Sequence, residues 1–131
     1  MIRRDYVVKQ LEEFGKVIAR LLSLRKQEDH TLLEKEIADA AQRFTNFEIS
    51  AVERLGATDF YETAIGLEDH RLKMLADLLY EKMHFYLLTG QSAEAILLKN
   101  RCRQLYELVK ARNPGIFDMD VYYKVQFLDT V

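Results

Sequence analysis

The sequence is poor in residues that interrupt helices or cross-link a chain: it has one proline, five glycines, one cysteine and no tryptophan. A single cysteine excludes an intrachain disulfide, and the apolar neighbours of Cys102 favour a buried thiol over a reactive one. Hydrophobic residues make up 49% of the chain, which is too apolar for a disordered protein. We therefore expect one folded domain in a reducing cytoplasm.

A strong charge of either sign is also missing. Lys and Arg number 19 against 21 Asp and Glu, which gives a formal net charge of −2. The broad positive field of a nucleic-acid binding protein is therefore not expected. The charged residues between Asp5 and Lys16 exclude a signal-peptide core or a membrane span near the N-terminus.

The apolar residues that are present follow a helical spacing. Residues 72–109 predict two helices folded into a hairpin, in which Gly90 ends the first helix and Ser92 caps the second. Polar residues in the first of these helices occupy only a narrow stripe, which consists of Lys73, Asp77, Glu81, Lys82 and His84. We expect this helix to be central, with the polar stripe facing water.

The same spacing predicts the rest of the fold. Helices are expected over residues 5–25, 68–89, 93–112 and 118–128, with another starting at Thr31 and two short ones between residues 46 and 66. Thr31 and Glu34 form a capping-box pattern, and Asp118 is the expected cap of the last helix. Gly15 costs about 1 kcal/mol relative to alanine inside a helix, which suggests a close helix crossing there. The predicted fold is a single all-α domain, either a compact helical bundle or a short right-handed superhelix of about six to seven helices.

Two resemblances add context. The hairpin at residues 68–112 resembles a tetratricopeptide (TPR) unit, with Tyr86, Gly90 and Ala95 at its aromatic, glycine and alanine positions, although Lys99 and Cys102 depart from the pattern. The opening sequence MIRRDYVVKQLEEFGKVIARLL is similar to that of a family of short bacterial proteins of unknown function. This second resemblance implies a bacterial helical protein and assigns no catalytic residues.

Candidate chemistry is sparse. The sequence has no phosphate-binding glycine loop, nucleophile elbow or paired zinc cysteines, so we expect neither an enzyme nor a cofactor. Glu81 and His84 have the Glu-x-x-His spacing of di-iron bundles, which gives a metalloprotein as one alternative. Only one copy of the pattern is clean, and both residues are expected on the wet stripe, so a metal site is disfavoured.

A second alternative is nucleic-acid binding through one edge of the helix at residues 92–112. That edge carries Lys99, Arg103 and Lys110, with Arg101 and Arg112 nearby. Such a row of cations can bind phosphates. The negative net charge disfavours this alternative.

The C-terminal segment gives the leading functional hypothesis. Phe117, Tyr122, Tyr123 and Phe127 fall within eleven positions, on more than one side of a short helix. Exposed aromatic residues are enriched at protein interfaces. The segment at residues 118–128 is thus either a helix that caps the domain or a contact for a protein partner or a second copy. We predict a non-enzymatic helical interaction or scaffold domain that binds a helix or peptide between the hairpin and this segment, outside any membrane.

Overall fold

The computed structural model describes the backbone of residues 2–131 and the side chains from residue 4 onward. This part of the chain has seven helices and no strand, which confirms the predicted all-α class. The helices are α1 (Ile2–Lys26), α2 (His30–Thr45), α3 (Ile49–Arg54), α4 (Ala57–Ala64), α5 (Asp69–Leu88), α6 (Ser92–Arg112) and α7 (Met119–Leu128). None of these helices is long and apolar enough to cross a bilayer.

The predicted hairpin is confirmed as the centre of the fold and is formed by α5 and α6. Gly90 joins the two helices with φ +76°, a left-handed conformation that favours glycine. Helices α1 and α2 pack against α5, and α7 packs against α6. The core between them is apolar and includes Leu33, Ile37, Leu75, Leu79, Met83, Leu98 and Leu105. A compact bundle fits this arrangement, whereas the TPR-like superhelix stays a prediction.

The expectation that α5 keeps a polar stripe in water is wrong. Asp77, Glu81 and Lys82 are only 7%, 4% and 5% exposed. Each pairs with an opposite charge that is distant in sequence, and these partners are Lys124, Arg25 and Glu53, respectively. Other helices therefore cover the polar edge of α5 and supply the charges that its burial requires.

Helix ends confirm some of the predicted caps and correct others. The side chain of Asp118 accepts a hydrogen bond from the Val121 amide at 3.2 Å, as expected. Helix α2 is capped by Asp29, which accepts from the Leu32 amide at 3.3 Å, so the predicted Thr31 cap is wrong. Ser92 is already the first residue of α6 and makes no capping hydrogen bond. The two short helices between residues 46 and 66 are present as α3 and α4.

Gly15 does not mark a helix crossing within the described chain, so that prediction is wrong. A Cβ atom built at Gly15 meets no heavy atom within 4 Å. The residue is exposed in the middle of α1, and its backbone is helical. The monomer fold therefore gains nothing from a glycine here and loses helix propensity.

We expect Gly15→Ala to raise the free energy of unfolding by about 0.5–1 kcal/mol, because alanine is the better helix former and open space surrounds the site. Urea denaturation at a concentration where the protein is monomeric measures the change. The matched control is Gly90→Ala, which also meets no neighbour but must adopt the left-handed conformation and should destabilise the fold. A loss of stability in Gly15→Ala would contradict this account.

Candidate interaction groove

An apolar groove of about 740 Å³ lies between α1, α5 and α7. Helix α5 forms its floor, α1 forms one wall, and α7 with the loop before it forms the other. Val109 and Lys110 at the end of α6 also line the groove. The α1 wall consists of Leu11, Phe14, Gly15 and Ile18, which share one side of the helix at steps of three and four residues. Because Gly15 has no side chain, this wall is lowest at its centre. The wall contributed by α1 was not predicted from the sequence.

The opposite wall carries two of the four predicted aromatic residues, and a third is exposed beside it. Phe117, Tyr122 and Tyr123 are 70%, 47% and 63% exposed, and adjacent rings in this series lie 5.5–5.6 Å apart. Phe117 and Tyr122 line the groove together with Val121 and Val125. Tyr123 does not line the groove, so the exposed aromatic surface extends beyond the edge of α7.

Phe127, the fourth predicted contact residue, lies in a different environment. Its ring stacks on His84 of α5 with centroids 4.8 Å apart, and it also faces Tyr80 at 5.9 Å. Phe127 is partly buried against the core. This residue therefore fixes α7 to α5, and only the other three predicted aromatics are widely exposed.

A buried ionic cluster holds α7 in place at the floor of the groove. Tyr106 of α6 donates a hydrogen bond to Asp77 Oδ1 at 2.5 Å, and Lys124 of α7 donates to the same oxygen at 3.1 Å. Lys124 also pairs with Asp120 at 3.2 Å. Nearer the start of α7, Lys73 reaches Asp118 and Asp120 at 3.5 Å each. These contacts join three helices through charged groups.

The electrostatics of the cluster follow from its burial. Loss of water raises the pKa of Asp77, which the nearby Lys124 ammonium and Tyr106 hydroxyl oppose. Burial alone lowers the pKa of Lys124, but Asp77 and Asp120 outweigh this effect and raise that pKa. The lysine therefore stays charged, and the pair is strongly coupled.

We expect a double-mutant cycle with Asp77→Asn and Lys124→Met to reveal this coupling. Removing one partner leaves the other buried without its counter-charge, so each single variant should lose about 3 kcal/mol of folding stability. The double variant should lose about 1–3 kcal/mol less than the sum of the two. The exposed pair of Lys35 and Asp39 is the control, with a coupling below about 0.5 kcal/mol. Additive losses in the first cycle would contradict a coupled pair.

His84 lies beside this cluster in an aromatic setting. Its ring lies 4.7 Å from Tyr80 and stacks on Phe127. Burial, together with the positive charges of Arg25 and Lys124, lowers the pKa of His84 from 6.5 to about 4. The imidazole is therefore uncharged at neutral pH and acts as a third ring in the stack.

This shift predicts that His84 makes the fold less stable in acid. The unfolded chain takes up a proton near pH 6.5 and the folded chain near pH 4, so stability falls as pH drops through this window. Between pH 8 and pH 5, the free energy of unfolding of the wild type should fall by about 1 kcal/mol more than that of His84→Phe. This figure allows for the partial exposure of His84. Urea denaturation at both pH values measures it, with Leu128→Val as a control that has no titrating group. An equal effect of His84→Phe at both pH values would refute the assignment.

Glu81 and His84, the candidate metal ligands, face different partners. Glu81 is buried and lies 3.4 Å from Arg25 Nη1, and burial raises the pKa of its carboxyl group. His84 is enclosed by rings, as described above. Within the described residues, no group of three or more His, Cys, Asp or Glu side chains is placed to hold a metal ion. The expectation that Glu81 lies in water is wrong, because Arg25 and α7 cover that edge.

The basic edge of α6 is largely engaged in intramolecular contacts. Lys99 and Arg101 donate to the backbone carbonyls of Val131 and Leu55. Arg103 pairs with Asp129 and Glu107. Arg112 pairs with Asp69 and donates to the carbonyls of Ile65 and Leu67. Most of these cations therefore form hydrogen bonds or salt bridges that join loops and helix ends to α6.

Cys102 occupies the position expected of a small apolar residue. It is fully buried in α6, and its thiol donates to the Ala76 carbonyl at 3.3 Å. Burial raises the pKa of the thiol well above its usual range. The prediction of a buried, unreactive cysteine agrees with this environment.

Comparison with known proteins supplies no assignment: no protein-family model, curated protein or solved structure matches this chain.

Proposed function

We propose that this protein is a non-enzymatic interaction domain that binds an amphipathic helix in the groove between α1, α5 and α7. The proposal is carried by one observation, which is an apolar groove whose two walls both end in exposed apolar side chains. Leu11 borders it on α1, Tyr122 borders it on α7, and Phe117 borders it in the segment just before α7. Exposed apolar surface of this kind, next to a concave site, is typical of interaction surfaces.

A helix fits this site better than an extended peptide. An extended strand gains most of its affinity from hydrogen bonds to a sheet edge, and the described chain has no strand to offer one. A helix satisfies its own backbone and presents apolar side chains every three or four residues, which matches the spacing on α1. The groove therefore supports recognition through side-chain packing.

The two alternative functions have weaker support. A metalloprotein would need Glu81 and His84 to converge, but one pairs with Arg25 and the other stacks on Phe127. A nucleic-acid binder would need exposed cations on α6, most of which already bind groups within the chain. The buried thiol is consistent with a reducing cytoplasm and the opening sequence with a bacterial source, and both remain part of this proposal.

The proposed function can be tested with a model helix. The probe is a fluorescein-labelled 18-residue peptide with leucines at steps of three and four and equal numbers of Glu and Lys elsewhere. Fluorescence anisotropy should show saturable binding with a micromolar Kd, and a scrambled peptide of the same composition should bind more weakly. Gly15→Phe fills the centre of the α1 wall and should weaken binding by about tenfold or more.

Matched variants separate the groove from general hydrophobicity. Gly56→Phe adds the same ring at an exposed glycine outside the groove and should leave the Kd unchanged. Just before α7, Phe117→Ser should weaken binding, whereas Tyr123→Ser on α7 should have little effect because Tyr123 does not line the groove. Equal binding of the ordered and scrambled peptides, or no effect of Gly15→Phe, would reject the proposal.

A further inference from the structure

Helix α1 carries a second apolar row in addition to the one that enters the core. Phe14, Leu21 and Leu24 are buried against the bundle. The outer seam, by which we mean Val8, Leu11, Gly15, Ile18 and Leu22, repeats at alternating steps of three and four residues. Val8, Leu11 and Leu22 are exposed although large and apolar, and Ile18 is partly buried. Such spacing is typical of a helix that packs along another helix.

The outer seam is nearly symmetric about Gly15. Val8 and Leu22 stand seven residues on either side of it, and Leu11 and Ile18 stand four and three residues away. If two copies of α1 run antiparallel and cross at Gly15, Val8 of one copy lies opposite Leu22 of the other. The open space at Gly15 lets the two backbones approach closely at that crossing.

The charges on α1 favour the same antiparallel orientation. In the first half of α1, residues 2–14 carry three acids and three cations, whereas residues 16–26 carry four cations and no acid. Some of these charges are paired within the chain: Glu13 with Arg43, Arg20 with Glu36, and Arg25 with Glu81. The exposed remainder includes Arg4, Asp5, Lys9 and Glu12 in the first half and Lys16 and Lys26 in the second. Antiparallel pairing places the basic half against the half of mixed charge, whereas parallel pairing places basic against basic.

We propose that the helix bound in the groove is α1 of a second copy of this chain, running antiparallel with the two-fold axis at Gly15. This inference rests on the proposed function, because it names the occupant of the same groove. An interface of this kind is isologous and closes at two copies, since each α1 is at once a wall of its own groove and the ligand of the other. Each copy then covers the exposed seam of its partner.

Disulfide trapping tests the geometry directly. In the proposed dimer, two Gly15→Cys residues face each other across the axis, within the Cα separation that a disulfide requires. Mild oxidation of Gly15→Cys should therefore give a covalent dimer. Lys9→Cys, which is on α1 but outside the seam, should not, and the unmodified protein with its buried Cys102 should not. Helicity measured by circular dichroism confirms that each variant is folded.

A second pair of variants distinguishes antiparallel from parallel packing. A mixture of Val8→Cys and Leu22→Cys, one carrying a size tag, should cross-link only between the two kinds of chain. Neither variant alone should cross-link, because identical positions lie roughly 21 Å apart along the helix axis in the antiparallel arrangement. Cross-linking of Val8→Cys to itself would show parallel packing and overturn the inference.

Sedimentation separates this inference from the proposed function. The wild-type protein should double its sedimenting mass as concentration rises, and Gly15→Phe should remain a monomer where Gly56→Phe does not. A wild type that binds the model helix but never self-associates overturns the inference and leaves the proposed function standing. A dimer that persists in Gly15→Phe also overturns it, and the absence of both self-association and model-helix binding rejects both proposals.

Discussion

The buried carboxylate of Asp77 imposes the constraint on which the rest of the structure depends. A charge at the centre of a buried helix needs a counter-charge, and Lys73, the nearest cation on α5, contacts Asp118 and Asp120 instead of Asp77. Lys124 supplies it from α7, and Tyr106 completes the coordination from α6. This requirement places the last helix against α5, and Lys124 itself lies in the wall of the groove that results. The interaction surface is thus a consequence of how an internal charge is satisfied.

The overall fold could be predicted from the sequence because helix formation depends on local patterns. Spacing by three and four residues located the helices, and Gly90 and Asp118 marked two of their ends. The widely exposed aromatics at Phe117, Tyr122 and Tyr123 could be identified because a short helix cannot bury rings on every side. Such features depend on residues that are close together in the sequence, so one segment contains all the information needed.

What escaped prediction depends on partners that are distant in sequence. The polar residues of α5 share one edge, as periodicity predicts, but periodicity does not say which helix covers that edge. Asp77 is 47 residues from Lys124, and Glu81 is 56 residues from Arg25. The groove was missed on its α1 side for the same reason. Helix propensity marks Gly15 as costly, yet among the described residues no other helix packs against it.

Helix stability in a single chain and the proposed pairing of two chains therefore favour different residues at position 15. Helix propensity alone favours alanine at this position, and selection for monomer stability alone would remove the glycine. In the proposed dimer a glycine here is advantageous, because the two α1 backbones meet at this position. If the proposed pairing holds, the residue at this position in a homologous chain becomes a simple marker: glycine permits close helix pairing, and a bulky residue prevents it.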